Sequence, residues 1–174
     1  ADVAAADVSA APAVQRMMQD VQARHGGIDF LINNAGILRD RTVAKMTLEE
    51  WQTVMDVNLT GVFLCCKFGQ EIMRDGGAIV SLGSIAAFQG SFGQANYAAT
   101  KAGVQALMRV VSREAARRGL RANAIAPGVV DTAMVSTIPE PVRVAMLKNI
   151  PLGRLATPTE VANVALFLGS GLLG

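Results

Sequence analysis

Residues 76–84, Gly76-Gly77-Ala78-Ile79-Val80-Ser81-Leu82-Gly83-Ser84, decide the fold. A short apolar run over 78–82 is led in by two glycines and closed by a third, which reads as a buried strand. A stretch of helical period follows from about residue 95 through Glu114 to Arg118. A short apolar run followed by a longer helical one is a βα unit, and its repetition builds a parallel sheet.

Working outward, the pattern recurs. Toward the amino end, Thr47 opens a helix with Glu49 and Glu50 in its first turn, running to about Arg74 with a broad apolar face through Trp51, Val54, Val57, Leu59, Val62, Phe63 and Cys66. Before it, residues 28–32 (IDFLI) read as a strand closed by Asn33-Asn34-Ala35-Gly36. Residues 1–8 form a weaker, Ala-rich strand; Ser9 caps the helix after it, and Gly26-Gly27 ends that helix beyond Arg24 and His25. Toward the carboxyl end, residues 121–126 are a strand ending at Pro127-Gly128, and two Pro-punctuated helical pieces cover 141–148 and 158–168. No repeat, low-complexity tract or linker interrupts the chain, so residues 1–174 read as a single domain.

Composition narrows the function. With 51% hydrophobic and 17% charged residues in 174, the chain is globular. Sixteen Lys and Arg against fourteen Asp and Glu give a net charge of +2, too thinly spread for a nucleic-acid partner. No apolar run has the ~18 residues of a membrane span, so no membrane partner is expected. The only two cysteines, Cys65 and Cys66, are adjacent and read as buried thiols, which fits a reducing compartment. A cytoplasmic location, or an organelle matrix, is the expectation.

Tyr97 and Lys101 stand four apart on a helix and share a face. A cation at roughly 4 Å, in an effective dielectric of about 20, is worth ~4 kcal/mol, or about three pKa units. That would bring the phenol toward neutral pH, where it serves as general acid or base. Ser84 falls just beyond the carboxyl end of the 78–82 strand, where ligands bind in open parallel sheets. Asn34 and Gly36 end one neighbouring strand and Pro127-Gly128 the other, so three loops should meet at one edge. Turn chemistry alone explains the glycines and the proline, but not a Ser, a Tyr and a Lys arriving together.

These residues resemble the classical short-chain dehydrogenase/reductase family over essentially the whole chain. The matching motifs are DVS at 7–9, NNAG at 33–36, VNLTGVF at 57–63, GS at 83–84, YAATK at 97–101 and APGVVDT at 126–132. Within the family the look is nearest to 3-oxoacyl-acyl-carrier-protein reductases, with acetoacetyl-CoA reductases and hydroxyacyl or hydroxysteroid dehydrogenases beside them. The resemblance implies a Rossmann-like, doubly wound parallel sheet. It also implies a truncated one: no stretch matches the family's first two strands with their glycine-rich phosphate turn, or its last strand, and residue 1 falls in its third. Direct pairing of the 1–8 strand with the 28–32 strand is the expected repair.

The same resemblance implies that Asn58, Ser84, Tyr97 and Lys101 form a catalytic tetrad. Tyr97 gives a proton to a carbonyl that receives hydride, Ser84 holds the carbonyl oxygen, Lys101 lowers the phenol pKa and grips the ribose, and Asn58 interrupts its helix and anchors a relay water. NADP or NAD is the implied cofactor, NADPH by resemblance. Asp7 and Val8 would meet its adenine and Asn34, Ala35 and Gly36 its adenosine ribose. Pro127, Gly128, Val130 and Thr132 would flank the nicotinamide. Gln94 would border the substrate beneath a lid built from residues 134–148.

That substrate is a small-molecule carbonyl or acyl thioester, most naturally a 3-oxoacyl one, or else a steroid or sugar alcohol. A chain that keeps these residues without binding dinucleotide is the alternative. Acyl carrier protein could dock through Arg118, although Asp75 stands where a second basic residue is expected; a helix C-terminus stabilised by cations explains Arg117 and Arg118 equally well. A homo-oligomer is implied for the complete form. No metal site is expected, since His25 is the sole histidine and lies far from any cysteine cluster. The GxGxxG at 169–174 has no helix after it to hold a phosphate, and the Asn58-Leu59-Thr60 acceptor pattern lies inside a helix; both are set aside.

Overall fold

A computed structural model describes residues 1–136 and 140–171. Three parallel strands, β1 (Ile28–Asn33), β2 (Met73–Leu82) and β3 (Arg121–Ile125), form one sheet in the order β1-β2-β3. Around them run α1 (Ala11–His25), α2 (Leu48–Met55), α3 (Gly61–Ile72), α4 (Ala86–Gln89), α5 (Ala95–Ala115), α6 (Ala133–Ser136), α7 (Glu140–Lys148) and α8 (Pro158–Gly169). Among the described residues no helix is long and apolar enough to cross a membrane.

Register sets the core. Leu31, Ile79 and Ala122 pair across the three strands, and so do Asn33, Ser81 and Ala124. Ile79 is fully buried among Val62 and Cys66 of α3 and Val104, Met108 and Val111 of α5. Val14 and Met18 of α1 pack on Leu64 and Cys65 of α3 in a second cluster. Adjacent strand residues point to opposite faces. Leu31 joins the α3 and α5 side, while Phe30 meets Gly169 of α8 so closely that a Cβ there would lie 2.5 Å from the ring. Helices therefore cover both faces, as a doubly wound sheet requires.

The structure corrects three details of the sequence reading. Residues 1–8 are not a strand, and the sheet begins at β1. Ala and Asp are poor strand formers, and no neighbouring strand offers this segment a ladder. Its end is held by packing instead, Val8 lying against the surface of Gly61. Ser9 does not cap α1; its hydroxyl and N–H both donate to the Asp7 carboxylate, at 2.7 and 2.9 Å, and the cap position falls to Ala10. The long helix begins at Thr47 as expected, where the structure adds a capping box with Glu50, and the interruption expected at Asn58 is a π-turn over Asp56–Thr60. The helix ends at Ile72, because Met73 already pairs with Ile28 in the sheet. Residues 137–139 of the expected lid and 172–174 of the GxGxxG stretch lie outside the described residues.

Candidate active site

The site is assembled at the carboxyl ends of the strands. Gly83 N–H donates to the Ile125 carbonyl at 2.7 Å and Ile85 N–H to the Pro127 carbonyl at 3.0 Å, lacing the loops after β2 and β3 together. Ser84 is held between them. Its Oγ accepts from Ala86 N–H at 3.1 Å, and its hydroxyl acts to lower the Tyr97 phenol's pKa.

Tyr97 and Lys101 share a face of α5, with Lys101 Nζ 5.6 Å from the centre of the Tyr97 ring. The ammonium donates a 2.6 Å hydrogen bond to the Leu82 carbonyl, and the residue is 4% exposed. Burial pushes the Lys101 amine down to about 8. The Tyr97 phenol is moved the other way from the sequence expectation. Burial raises it above its ordinary value, the Ser84 hydroxyl opposes that, and the Asp40 carboxylate adds to it. The reason is burial, which disfavours the charged phenolate and outweighs the lowering by Ser84.

Asn58 is fully buried in the π-turn. Its Oδ1 accepts from Ile37 N–H at 2.8 Å and its Nδ2 donates to Ile37 O at 2.9 Å. This reciprocal pair pins the loop after β1 beside Lys101. Gly36 sits in the angle, where a Cβ would stand 3.5 Å from Asn58 Oδ1 and 3.7 Å from Lys101 Nζ. Asn58, Gly36 and Lys101 are thus in one place, as are Ser84 and Tyr97.

The remaining expected residues divide. Val8, Asn34 and Ala35 line one cleft of about 150 Å³ with Leu31, Ile32 and Val57, along the open side of β1. The small Ala35 and Gly36 leave backbone accessible where a planar, hydroxyl-bearing ligand could approach. Asp7 is exposed, its carboxylate held below the usual range by the Ser9 hydroxyl and N–H. Pro127 and Gly128 lead from β3, and a Cβ on Gly128 would meet nothing within 4 Å. Val130 bridges Ala156 and Thr132 O accepts from Val135 N–H, so these two are engaged with α6 and the segment before α8. Gln94 borders the entrance to α5, its Nε2 donating to Asp40 at 2.9 Å.

Two positioning residues escaped the sequence reading. Asn96 is fully buried, donates to Arg39 O at 3.0 Å and accepts from Tyr97 N–H at 2.8 Å. Asn33, at the end of β1, donates to Ser81 Oγ at 3.0 Å and to Cys66 Sγ at 3.4 Å. The available signal was a polar residue directly beside a catalytic or apolar run. Arg118 is also accounted for: it pairs with Asp75 at 2.8 Å, donates to Gln70 O at 2.7 Å and hydrogen-bonds Met73 O.

A parallel α/β sheet carrying Ser, Tyr and Lys at its carboxyl edge defines a Rossmann-like oxidoreductase site. A family model described as enoyl-(acyl carrier protein) reductase matches residues 1–173. The chain is 42% identical over 168 residues to the 3-oxoacyl-acyl-carrier-protein reductase FabG of Chlamydia pneumoniae, covering 95% of this chain and 68% of that protein. It is 41% identical over 167 residues to the FabG reductase of Staphylococcus aureus strain Mu50, with coverage of 95% and 68%. A solved structure from Brucella melitensis, titled a short-chain dehydrogenase/reductase SDR:glucose/ribitol dehydrogenase, superposes with a TM-score of 0.92 at 35% identity, over 97% of this chain and 68% of that one. The chain belongs to the short-chain dehydrogenase/reductase family, oxidoreductases that act on CH–OH groups with a nicotinamide dinucleotide.

Proposed function

We propose that this chain carries the catalytic part of an NADPH-dependent 3-oxoacyl thioester reductase, with Asn58, Ser84, Tyr97 and Lys101 as its working residues. The observation that carries the reading is that Ser84, laced to β3 after β2, stands at the same strand edge as a half-buried Tyr97 with Lys101 5.6 Å from its ring centre. The chemistry the dinucleotide supplies when bound is hydride for the carbonyl carbon. Tyr97 holds a proton, kept on the phenol by burial, and gives it to the carbonyl oxygen. Ser84 donates to that oxygen as negative charge builds there. Lys101 places a cation beside the phenolate left behind, and Asn58 fixes the loop on which Gly36 lies.

Val8, Asn34, Ala35 and Gly36 would hold the adenosine side, with Asp7 at its rim; Pro127, Gly128, Val130 and Thr132 would hold the nicotinamide side. Gln94 borders the substrate. Because Asp75 neutralises Arg118, a coenzyme A thioester suits the surface better than an acidic carrier protein. The experiment is equilibrium binding of NADPH and NADH to the folded chain by nicotinamide fluorescence, followed by reduction of a 3-oxoacyl-CoA. Saturable binding with turnover that Tyr97→Phe abolishes supports the reading. An active Phe variant overturns the mechanism. A second reading, a chain without dinucleotide binding, is favoured by the lack of any glycine-rich phosphate turn in these 174 residues; a folded chain that binds neither nucleotide would establish it.

A further inference from the structure

Tyr97, Lys101 and Gln105 stand on successive turns of α5, four residues apart, and so share a face. The buried residues on either side of Gln105 are committed to β2. Lys101 Nζ donates to the Leu82 carbonyl at 2.6 Å, and the Ser81 hydroxyl donates to Met108 Sδ at 3.2 Å. Gln105 itself faces the start of the loop that carries Ser84: a Cβ on Gly83 would lie 3.4 Å from Gln105 Nε2 and 3.5 Å from its Cγ.

Gln105 is 9% exposed, and its Nε2, closed off from solvent, has no hydrogen-bond partner among the described residues. A carboxamide nitrogen carries two N–H donors, and a donor left unmade inside a protein is costly. An apolar side chain of the same length would avoid that cost. Buried polar groups without a protein partner are satisfied by ordered water where an acceptor stands close by to share it.

Such an acceptor is at hand. The Ile125 carbonyl takes the Gly83 N–H at 2.7 Å, and a carbonyl oxygen has a second lone pair. The position of a Cβ on Gly83 is 3.0 Å from Ile125 O and 3.4 Å from Gln105 Nε2, so donor and acceptor flank a single point. We propose that Gln105 holds one buried water, shared between its Nε2 and the Ile125 carbonyl, and is thereby a positioning residue: it braces the seam of β2 and β3 from which the Ser84 loop springs. Leu82 and Ile125 are paired in register, so successive turns of α5 grip the last carbonyls of the two strands, Lys101 directly and Gln105 through the water. That Ser84 so placed serves a reaction rests on the function proposed above; the water site and the brace do not.

Nuclear magnetic resonance of the 174-residue chain tests both parts. The Gln105 side-chain amide, assigned through its own side-chain carbons, should give a cross-peak to water of the sign that marks a long-held molecule. Absence of that peak overturns the proposal, and it is read on the parent chain, so it decides even if a variant fails to fold. Gln105→Met keeps the length of the side chain and removes the amide. Exchange of the Gly83 amide hydrogen should then quicken by roughly fivefold to tenfold, as expected for one hydrogen bond lost at that seam, while Ile79 and Val80 keep their rates. A side chain that only filled space would leave Gly83 unmoved, and that result overturns the brace. A urea midpoint that rises in Gln105→Met also overturns the proposal, because it would show that the parent amide was unpaired. If the cross-peak is present and Gly83 responds while the folded chain reduces no 3-oxoacyl-CoA, the proposed function fails and the Gln105 site stands.

Discussion

Asn58 and Ile37 exchange two hydrogen bonds, side chain to backbone in both directions, across the seam between the π-turn and the loop after β1. Replacing Asn58 with Leu strips both partners from the Ile37 peptide in a site that is closed to water around residue 58. Unpaired buried polar groups cost about 1–3 kcal/mol each. Asn58→Leu should therefore lose about 2–4 kcal/mol in urea unfolding, with Asn58→Asp, which keeps an acceptor for the Ile37 N–H, falling between.

Gly83 N–H donates to Ile125 O, and a Cβ on residue 83 would stand 3.0 Å from that same oxygen. Neither end can yield, since β2 and β3 are locked in register. Gly83→Ala should push the Ser84 loop off β3 and lower turnover by about tenfold or more, because displacements near 1 Å are costly to reacting geometry. Steady-state rates compared with far-ultraviolet circular dichroism would separate this local effect from unfolding.

Lys101 gives the protein a characteristic alkaline profile. Its amine is depressed from 10.5 to about 8 in the folded state, so the unfolded chain binds more protons between those values. Stability therefore rises with pH across that window, and the cost of keeping the buried cation, about 3 kcal/mol, is fully present below about pH 8. Lys101→Met removes this dependence. The stability difference between Lys101→Met and the parent should shift in the parent's favour between pH 8 and about 10, read from urea midpoints.

Cys65 and Cys66 should be silent toward thiol reagents in the folded chain. Burial raises the Cys65 thiol, and it pushes Cys66 up to about 12 against the opposing hydrogen bond from Asn33. Thiolate is the reactive form. Both should label only as the protein unfolds, so the labelling rate in rising urea would report opening of the core between α3 and the sheet.

Arg118→Met tests what this arginine does at rest. The Asp75 pair is half exposed and worth little alone, but the bonds to the Gln70 and Met73 carbonyls satisfy the end of α3. A loss of about 1–2 kcal/mol in urea unfolding marks a structural clamp; no loss would leave the side chain available for a docking partner.

Much of this was legible because the chemistry is local. The 78–82 run with its glycines, the helix start at Thr47 and the Tyr97-Lys101 spacing each declare themselves within a few residues. The break at Asn58 needed the family resemblance, since a buried Asn and a solvent-facing one look alike in sequence. What stayed hidden was non-local. That Lys101 bonds Leu82 O depends on how deeply α5 sits against β2, and its neighbour in sequence says nothing of that. Residues 1–8 misled for the converse reason: a strand is a relationship with a partner, and its own composition cannot supply one.

The three strands stand in the sheet in the order in which they occur in the chain. Between β1 and β2 run α2 and α3, and between β2 and β3 runs α5, so each neighbouring pair is tied by a helical crossover. Ser84, Tyr97 and Lys101 meet where α5 lies beside β2, and the loop that carries Ser84 is tied to the Ile125 and Pro127 carbonyls. The candidate centre is therefore complete only with β3 in place: the third strand closes it and does not merely flank it.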